Sequence, residues 1–161
     1  MDYLLNIKNI PELDFIHTDQ GLNVGAITPL SQILREEKVK KQYIALFEAI
    51  QSMAAPAVRN MSTLAGNLGN ASPAADTVPP LIVYQAEVKL QSKKGERTVL
   101  VDDFITGVGK TLIEPDELIT QISIPEISKN TGAAFLKKSR VAADLSKINF
   151  APDIYLPVCP V

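Results

Sequence analysis

An α+β domain with a mostly antiparallel sheet flanked by helices is the fold class this sequence predicts, and three observations carry it. "EVKLQS" (87–92) and "RTVLVD" (97–102) read as strands joined by "KKGE", a short hairpin turn containing Gly95. "ELITQISIP" (117–125) alternates apolar and polar side chains and is stopped by Pro125. Between residues 40 and 54, Tyr43, Leu46, Phe47, Ile50 and Met53 fall on one face at close to the 3.6-residue period, which predicts a helix ending before Pro56. Strands of this kind with helices packed on them define the class.

The remaining elements follow in order. "LLNIKNIPEL" reads as a short strand and a turn, stopped at Pro11. "GLNVGAI" (21–27) alternates and reads as a strand behind the turn residues Asp19, Gln20 and Gly21. Thr28-Pro29 has the form of an N-cap followed by proline at the first helical position, so "LSQILREE" is expected to be helical. A polar loop follows Pro56, and a helix is expected from about Pro73 through Tyr84, with Asp76 in its first turns. "DDFITGVGKT" reads as a loop and "AAFLKKSRV" (133–141) as a strand. The end, "APDIYLPVCPV", carries three prolines and no periodicity, and is expected to be irregular.

Composition narrows the function classes. The 161 residues suit one domain or two small subdomains, and 46% hydrophobic content suffices for a core. Net charge is −2, with no Lys/Arg run, so no nucleic-acid partner is expected. Trp is absent and aromatics are 6%, which disfavours a base-stacking surface. Cys159 is the single cysteine and can form neither an internal disulfide nor a cysteine metal site. No secretory signal and no membrane span are read, and a cytoplasmic location is expected.

The stretch "NMSTLAGNLGNASPAADTVPPLI" (60–82) is the one most in need of a reason. Small residues, amides and hydroxyls make a poor core. Glycine and alanine let a backbone approach a ligand closely, and successive N–H groups in a turn can form an anion-binding concavity. Ser62, Thr63, Asn67, Asn70 and Ser72 add short polar groups, and Asp76 offers an acceptor for ribose or ribityl hydroxyls. Composition alone favours a solvated loop of ordinary turn residues, because glycine-rich loops are weak signals.

"APAVRNMSTLAGNLGNASPAADTVPPLI" closely resembles the second FAD-contacting segment of the flavoprotein (medium) subunits of the molybdenum hydroxylases, the relatives of xanthine dehydrogenase, carbon monoxide dehydrogenase and aldehyde oxidoreductase. The matching positions are Arg59, Asn60, Thr63, Ala65, Gly66, Asn67, Ala71, Pro73 and Asp76, with Ala65 where the family usually has its first glycine. "GLNVGAITPLSQIL", "DDFITGVGKTLIEPDELITQISIPE" and "FLKKSRVAADLSKIN" resemble the family's flanking segments, so the match covers about residues 3–150.

The resemblance implies the second FAD-binding subdomain of the PCMH-type (vanillyl-alcohol oxidase-like) flavoprotein fold over 1–128. It implies the start of a C-terminal domain over 129–150 and an irregular tail over 151–161. It implies FAD as cofactor, contacted by Ser62, Thr63, Gly66, Asn67, Asn70, Ser72, Asp76, Ile119 and Lys137, with Arg140 and Asp144 in a charged cluster nearby. A catalytic residue and a metal ligand are not among the expectations. The implied partners are a molybdenum-cofactor large subunit and a 2Fe-2S small subunit, with self-association also possible. Electrons would pass from iron–sulphur clusters through FAD to an external acceptor, making the chain a subunit of a flavin-dependent oxidoreductase. The family's first FAD loop, a Gly-Gly-Thr motif ahead of a helix, is not found here, so the chain is expected to be the middle of a medium subunit cut at both ends. A flavin-free relative acting as a scaffold or interaction module is the alternative.

Other motifs carry less. "GVGKT" (107–111) lacks the glycine five positions before Gly109, where Phe104 stands, and "LIEPDE" follows in place of a helix, so it is not a P-loop. His17 has no second histidine or cysteine to join it. Lys137 also reads as a lysine guarding an exposed edge strand, and Ile119 as an ordinary strand core residue.

Overall fold

Period-two alternation builds the sheet. The computed structural model describes residues 5–128, 131–140 and 144–155. Strands β1 (Ile16–His17), β2 (Leu22–Gly25), β3 (Glu87–Ser92), β4 (Gly95–Leu100) and β7 (Leu118–Ile124) form one antiparallel sheet in the order β1-β2-β7-β3-β4. Leu22, Val24, Val88, Leu90, Ile122 and Ile124 are buried and share its inner face. The other face is polar: the Gln121 amide donates to Asn23 Oδ1 at 2.9 Å and to Ser123 Oγ at 2.7 Å.

A layer of short helices covers the inner face: α1 (Leu30–Ile33), α2 (Glu37–Gln42), α3 (Ile44–Ser52), α4 (Pro56–Arg59), α5 (Leu64–Asn70), α6 (Val78–Val83) and α7 (Val101–Phe104). Their apolar residues, among them Leu30, Ile33, Leu46, Ile50, Leu64, Leu68, Leu81 and Phe104, join the strand residues in one core. Strands β5 (Ile105–Gly107) and β6 (Lys110–Thr111) form a small hairpin. Residues 131–155 form an arm in which β8 (Thr131–Ala133) pairs with β11 (Asp153–Tyr155) and β9 (Leu136–Lys138) with β10 (Ile148–Phe150). Phe135 and Ala151 of the arm are buried in the common core.

The helix expected over 40–54 is two helices. Tyr43 breaks them with φ −103 and ψ 51, because its ring is drawn fully into the core. There it meets Tyr84 edge-on at 5.5 Å, and its hydroxyl donates to the Pro125 carbonyl at 3.0 Å. The Tyr84 hydroxyl accepts from the Ala45 amide at 3.1 Å, satisfying an orphan donor in the first turn of α3.

Other corrections have local causes. Thr28 does not cap α1: its hydroxyl bonds both the N–H and the C=O of Phe15 at 3.1 Å, and Pro29 takes the N-cap position. The polar stretch expected as a loop contains α5, and the helix expected from Pro73 begins only at Val78, after a turn. The expected loop at 102–111 holds the end of α7 and the β5–β6 hairpin. The strand expected over 133–141 is shorter, β9, and the tail expected to be irregular contributes β11. The expected strand near the start begins in residues outside the described range, and residues 5–10 form no strand.

The Tyr43 phenol is pushed up to about 12, first by burial and then by Glu126 and Tyr84. The neutral ring is therefore favoured in the folded state, and this contribution to stability is complete below about pH 10 and lost as pH rises towards about 12. Tyr43→Phe is expected to remove that part of the alkaline slope, read by urea unfolding across the range, at a cost near neutrality of about 1 kcal/mol for the lost hydrogen bond.

Candidate functional site

Helix α5 is anchored at both ends. The Thr63 hydroxyl accepts from the Gly66 N–H at 2.9 Å and caps its start, and the Leu30 N–H donates to the Ser62 carbonyl at 2.9 Å, tying that start to α1. At the far end Ala71 takes a left-handed conformation, φ +43. The Gly109 N–H at the tip of the β5–β6 hairpin donates to the Ala71 carbonyl at 3.0 Å. This is what "GVGKT" does: it forms a hairpin turn, with Gly109 at φ +65, that buttresses the end of α5.

Arg59 braces the approach to the helix. Its guanidinium donates to the carbonyls of Met53 at 2.6 Å and Ala54 at 2.7 Å, holding Ala54 at φ +42. The Asn67 amide nitrogen is spent on Thr77 Oγ1 at 3.2 Å and the Met53 sulfur at 3.6 Å. Asn67 also lines the cavities beside α5.

Two cavities meet along α5. The first, about 640 Å³, is lined by Ser62, Thr63, Gly66, Asn67, Asn70 and Ile119, with Ala26, Ile27, Met61, Ile113 and Leu118 adding apolar wall. The second, about 370 Å³, shares Ser62, Asn67 and Asn70 and continues past Ser72 and Asp76 to Asp144 and Leu145. The polar residues singled out in the sequence are thus brought to one cleft. Lys137 reaches it through Asp76: its ammonium sits 2.7 Å from Asp76 Oδ2, with both side chains buried. Arg140 and Asp144 pair at 3.0 Å, and Asp144 is held below the usual carboxylate range by Arg140 and then by the Leu145 N–H.

A β-bulge brings Ile119 to the cleft. The register of β3 on β7 runs Lys89↔Gln121 and then Leu90↔Ile119, which leaves Thr120 as the extra residue. The bulge resets the alternation, so Ile119 turns to the helix side with Ile122 and Ile124. Its Cδ1 comes within 3.8 Å of where a Cβ on Gly69 would stand.

Sequence reasoning missed the apolar wall at Ile113 and Leu118, and also Met53, Met61 and Leu145. Of these, only the apolar pair in "TLIEPDEL" carried a signal, two exposed hydrophobics beside turn residues. The loop that carries them is clasped by Arg97, which donates to both Glu117 oxygens at 2.6 and 2.8 Å and to the Leu112 carbonyl at 2.9 Å. His17 stacks on Phe15 at 4.8 Å, away from the cleft. Among the described residues no helix is long and apolar enough to cross a membrane.

Comparison with known proteins gives the chain its family. Residues 1–127 match the family described as FAD binding domain in molybdopterin dehydrogenase. The chain is 33% identical over 153 residues to the xanthine dehydrogenase FAD-binding subunit of Escherichia coli O157:H7, covering 92% of this chain and 52% of that protein. It is 35% identical to the glyceraldehyde dehydrogenase medium chain of Sulfolobus acidocaldarius, covering 96% of this chain and 55% of that one. A solved carbon monoxide dehydrogenase from Hydrogenophaga pseudoflava superposes with a TM-score of 0.82 at 31% identity, over 87% of this chain and 49% of that chain. The chain belongs to the family of FAD-binding domains of molybdopterin dehydrogenases, whose members include FAD-binding subunits of oxidoreductases. It spans about half the length of these relatives.

The Glu117 carboxyl is lowered to about 2, first by Arg97 and then by the Glu114 N–H. Its contribution is present above the ordinary carboxylate pKa and lost as pH falls from about 4.5 towards about 2. Hydrogen exchange in 112–117 is expected to rise across that window, and Glu117→Gln should show the faster exchange already at neutral pH.

Proposed function

We propose that the cleft along α5 holds FAD and that the chain serves as the flavin-carrying part of a molybdenum-containing dehydrogenase. The observation that supports this best is the bare side of α5. Glycine inside a helix costs about 1 kcal/mol against alanine, and this seven-residue helix carries two, Gly66 and Gly69. Neither has a left-handed φ that would require glycine. A Cβ on Gly66 would meet the Thr63 hydroxyl at 3.2 Å and otherwise point into open space beside the cavity. Gly66 is explained by a ligand that approaches the helix backbone, whereas a Cβ on Gly69 would face Ile119. A scaffold without flavin would have no use for that surface.

The donor set fits the group. Thr63, Gly66, Asn67 and Asn70 with Ser62 suit the phosphate and ribose portion. Ser72 and Asp76 border the second cavity, with Lys137 paired behind Asp76. Ile119, Ile113 and Leu118 give an apolar wall that excludes water from one side of a planar ring. FAD supplies electron transfer between a donor and an external acceptor. The chain's own residues bind and orient it, keep water from it and set the charges around it. Its partners in this reading are an iron–sulphur chain and a molybdenum-cofactor chain, with the organic substrate handled by the latter.

Titration of the chain with FAD is expected to give a Kd tighter than about 10 μM, or roughly −7 kcal/mol. Gly66→Val should weaken binding at least tenfold while the ligand-free melting temperature stays near wild type. Gly69→Ala, whose methyl meets Ile119 at an ordinary 3.8 Å, should raise ligand-free stability by about 1 kcal/mol. Flavin retention unchanged in Gly66→Val would overturn the assignment of α5.

A further inference from the structure

The arm meets the site at one carboxylate. Asp76 Oδ2 accepts from Lys137 Nζ at 2.7 Å, while Oδ1 accepts from Ser146 Oγ and from Asn149 Nδ2 at 3.3 Å. All three donors lie on the arm, 61, 70 and 73 residues along the chain. Asn149 also donates to the Ala75 carbonyl and Lys137 to the Ser52 carbonyl, each at 3.4 Å. One turn before Ser52 on α3, Glu48 Oε2 accepts the Phe135 N–H at 3.1 Å. Asp76 is 3% exposed, and three donors of the arm converge on its carboxylate.

A buried ion pair seldom stabilises a fold more than well-packed apolar residues of the same volume would, and its best-attested use is to specify one arrangement. The arrangement specified here is the far wall of the cleft. Asp144 and Leu145, immediately before Ser146, line the second cavity opposite Asn67 and Asn70. Leu145 is 74% exposed, so its own burial does not hold it there. Polar ties hold the segment: Ser146 to Asp76, Arg140 to Asp144, and the Lys147 N–H to the Lys138 carbonyl at 2.9 Å.

We propose that Ser146 and Asn149 are positioning residues of the flavin cleft. Acting through Asp76, they dock the arm and set the Asp144–Leu145 wall against α5, so that arm docking and flavin binding are linked. The proposal depends on the flavin reading only for the identity of the ligand. A ligand that touches a wall present only in the docked state binds with an affinity reduced by the docked fraction, and in return it raises that fraction.

The test uses the whole chain, FAD fluorescence titration and hydrogen exchange. In the wild type, FAD is expected to slow exchange in 136–138 and 148–150. Ser146→Ala and the milder Asn149→Ala should each raise the Kd about tenfold, equivalent to about 1.4 kcal/mol. Both should speed exchange in the arm while leaving β3 and β7 unchanged. Ser146→Thr, which keeps the hydroxyl, should restore both. An unchanged Kd alongside faster arm exchange would overturn the proposal, and so would wild-type arm exchange that ignores FAD. Absence of FAD binding by the wild type would remove the flavin reading and the linkage together. Arm exchange in the ligand-free alanine variants would then still report whether Ser146 and Asn149 dock the arm.

Discussion

Strand β7 is the constraint on which the rest of the molecule depends. It pairs with β2 on one side and β3 on the other, and it packs under α5. Its bulge at Thr120 lets one strand serve two purposes. Ile122 and Ile124 complete the core, and Ile119, displaced onto the same side, closes the floor of the cleft. Without the extra residue Ile119 would stand on the polar face with Gln121 and Ser123. The Thr120 carbonyl accepts the Ala26 N–H at 3.1 Å, and its hydroxyl donates to the Lys89 carbonyl at 3.3 Å. The bulge therefore has partners in both neighbouring segments.

Much of this was legible in the sequence, for reasons that differ by element. β3 was read to its exact ends because alternation, hairpin turn and burial all point the same way. β7 was placed within a residue at each end, but its bulge was not visible, since a one-residue phase change leaves the apolar count unaltered. The split of the long helix at Tyr43 is a tertiary effect: the ring's partners, Tyr84 and the Pro125 carbonyl, are distant in sequence. Thr28 was misread because the side chain of a good N-cap is also a good bridge between strands.

The candidate site shows the same division. The residues of α5 and the turn after it were marked by composition and by likeness to a family, and they share one cleft. Their supports were not marked. Arg59 belongs to the motif, but its bonds to Met53 and Ala54 follow from the left-handed turn after α3. Ser146 and Asn149 are ordinary polar residues until the arm folds back and places them on Asp76. Periodicity reports which face of an element is buried, whereas polar contacts between distant segments leave no local pattern.

Helix α5 has only seven residues, two of them glycine, and would not persist as an isolated peptide. It exists because the Ser62 carbonyl just before it is bound by α1, Thr63 caps its first turn, and Ala71 at its far end is bound by the β5–β6 hairpin. The conformational entropy of that segment is therefore lost when the protein folds, before any ligand arrives. A molecule settling on the exposed backbone meets a helix already ordered, and none of its binding free energy is drained by ordering α5.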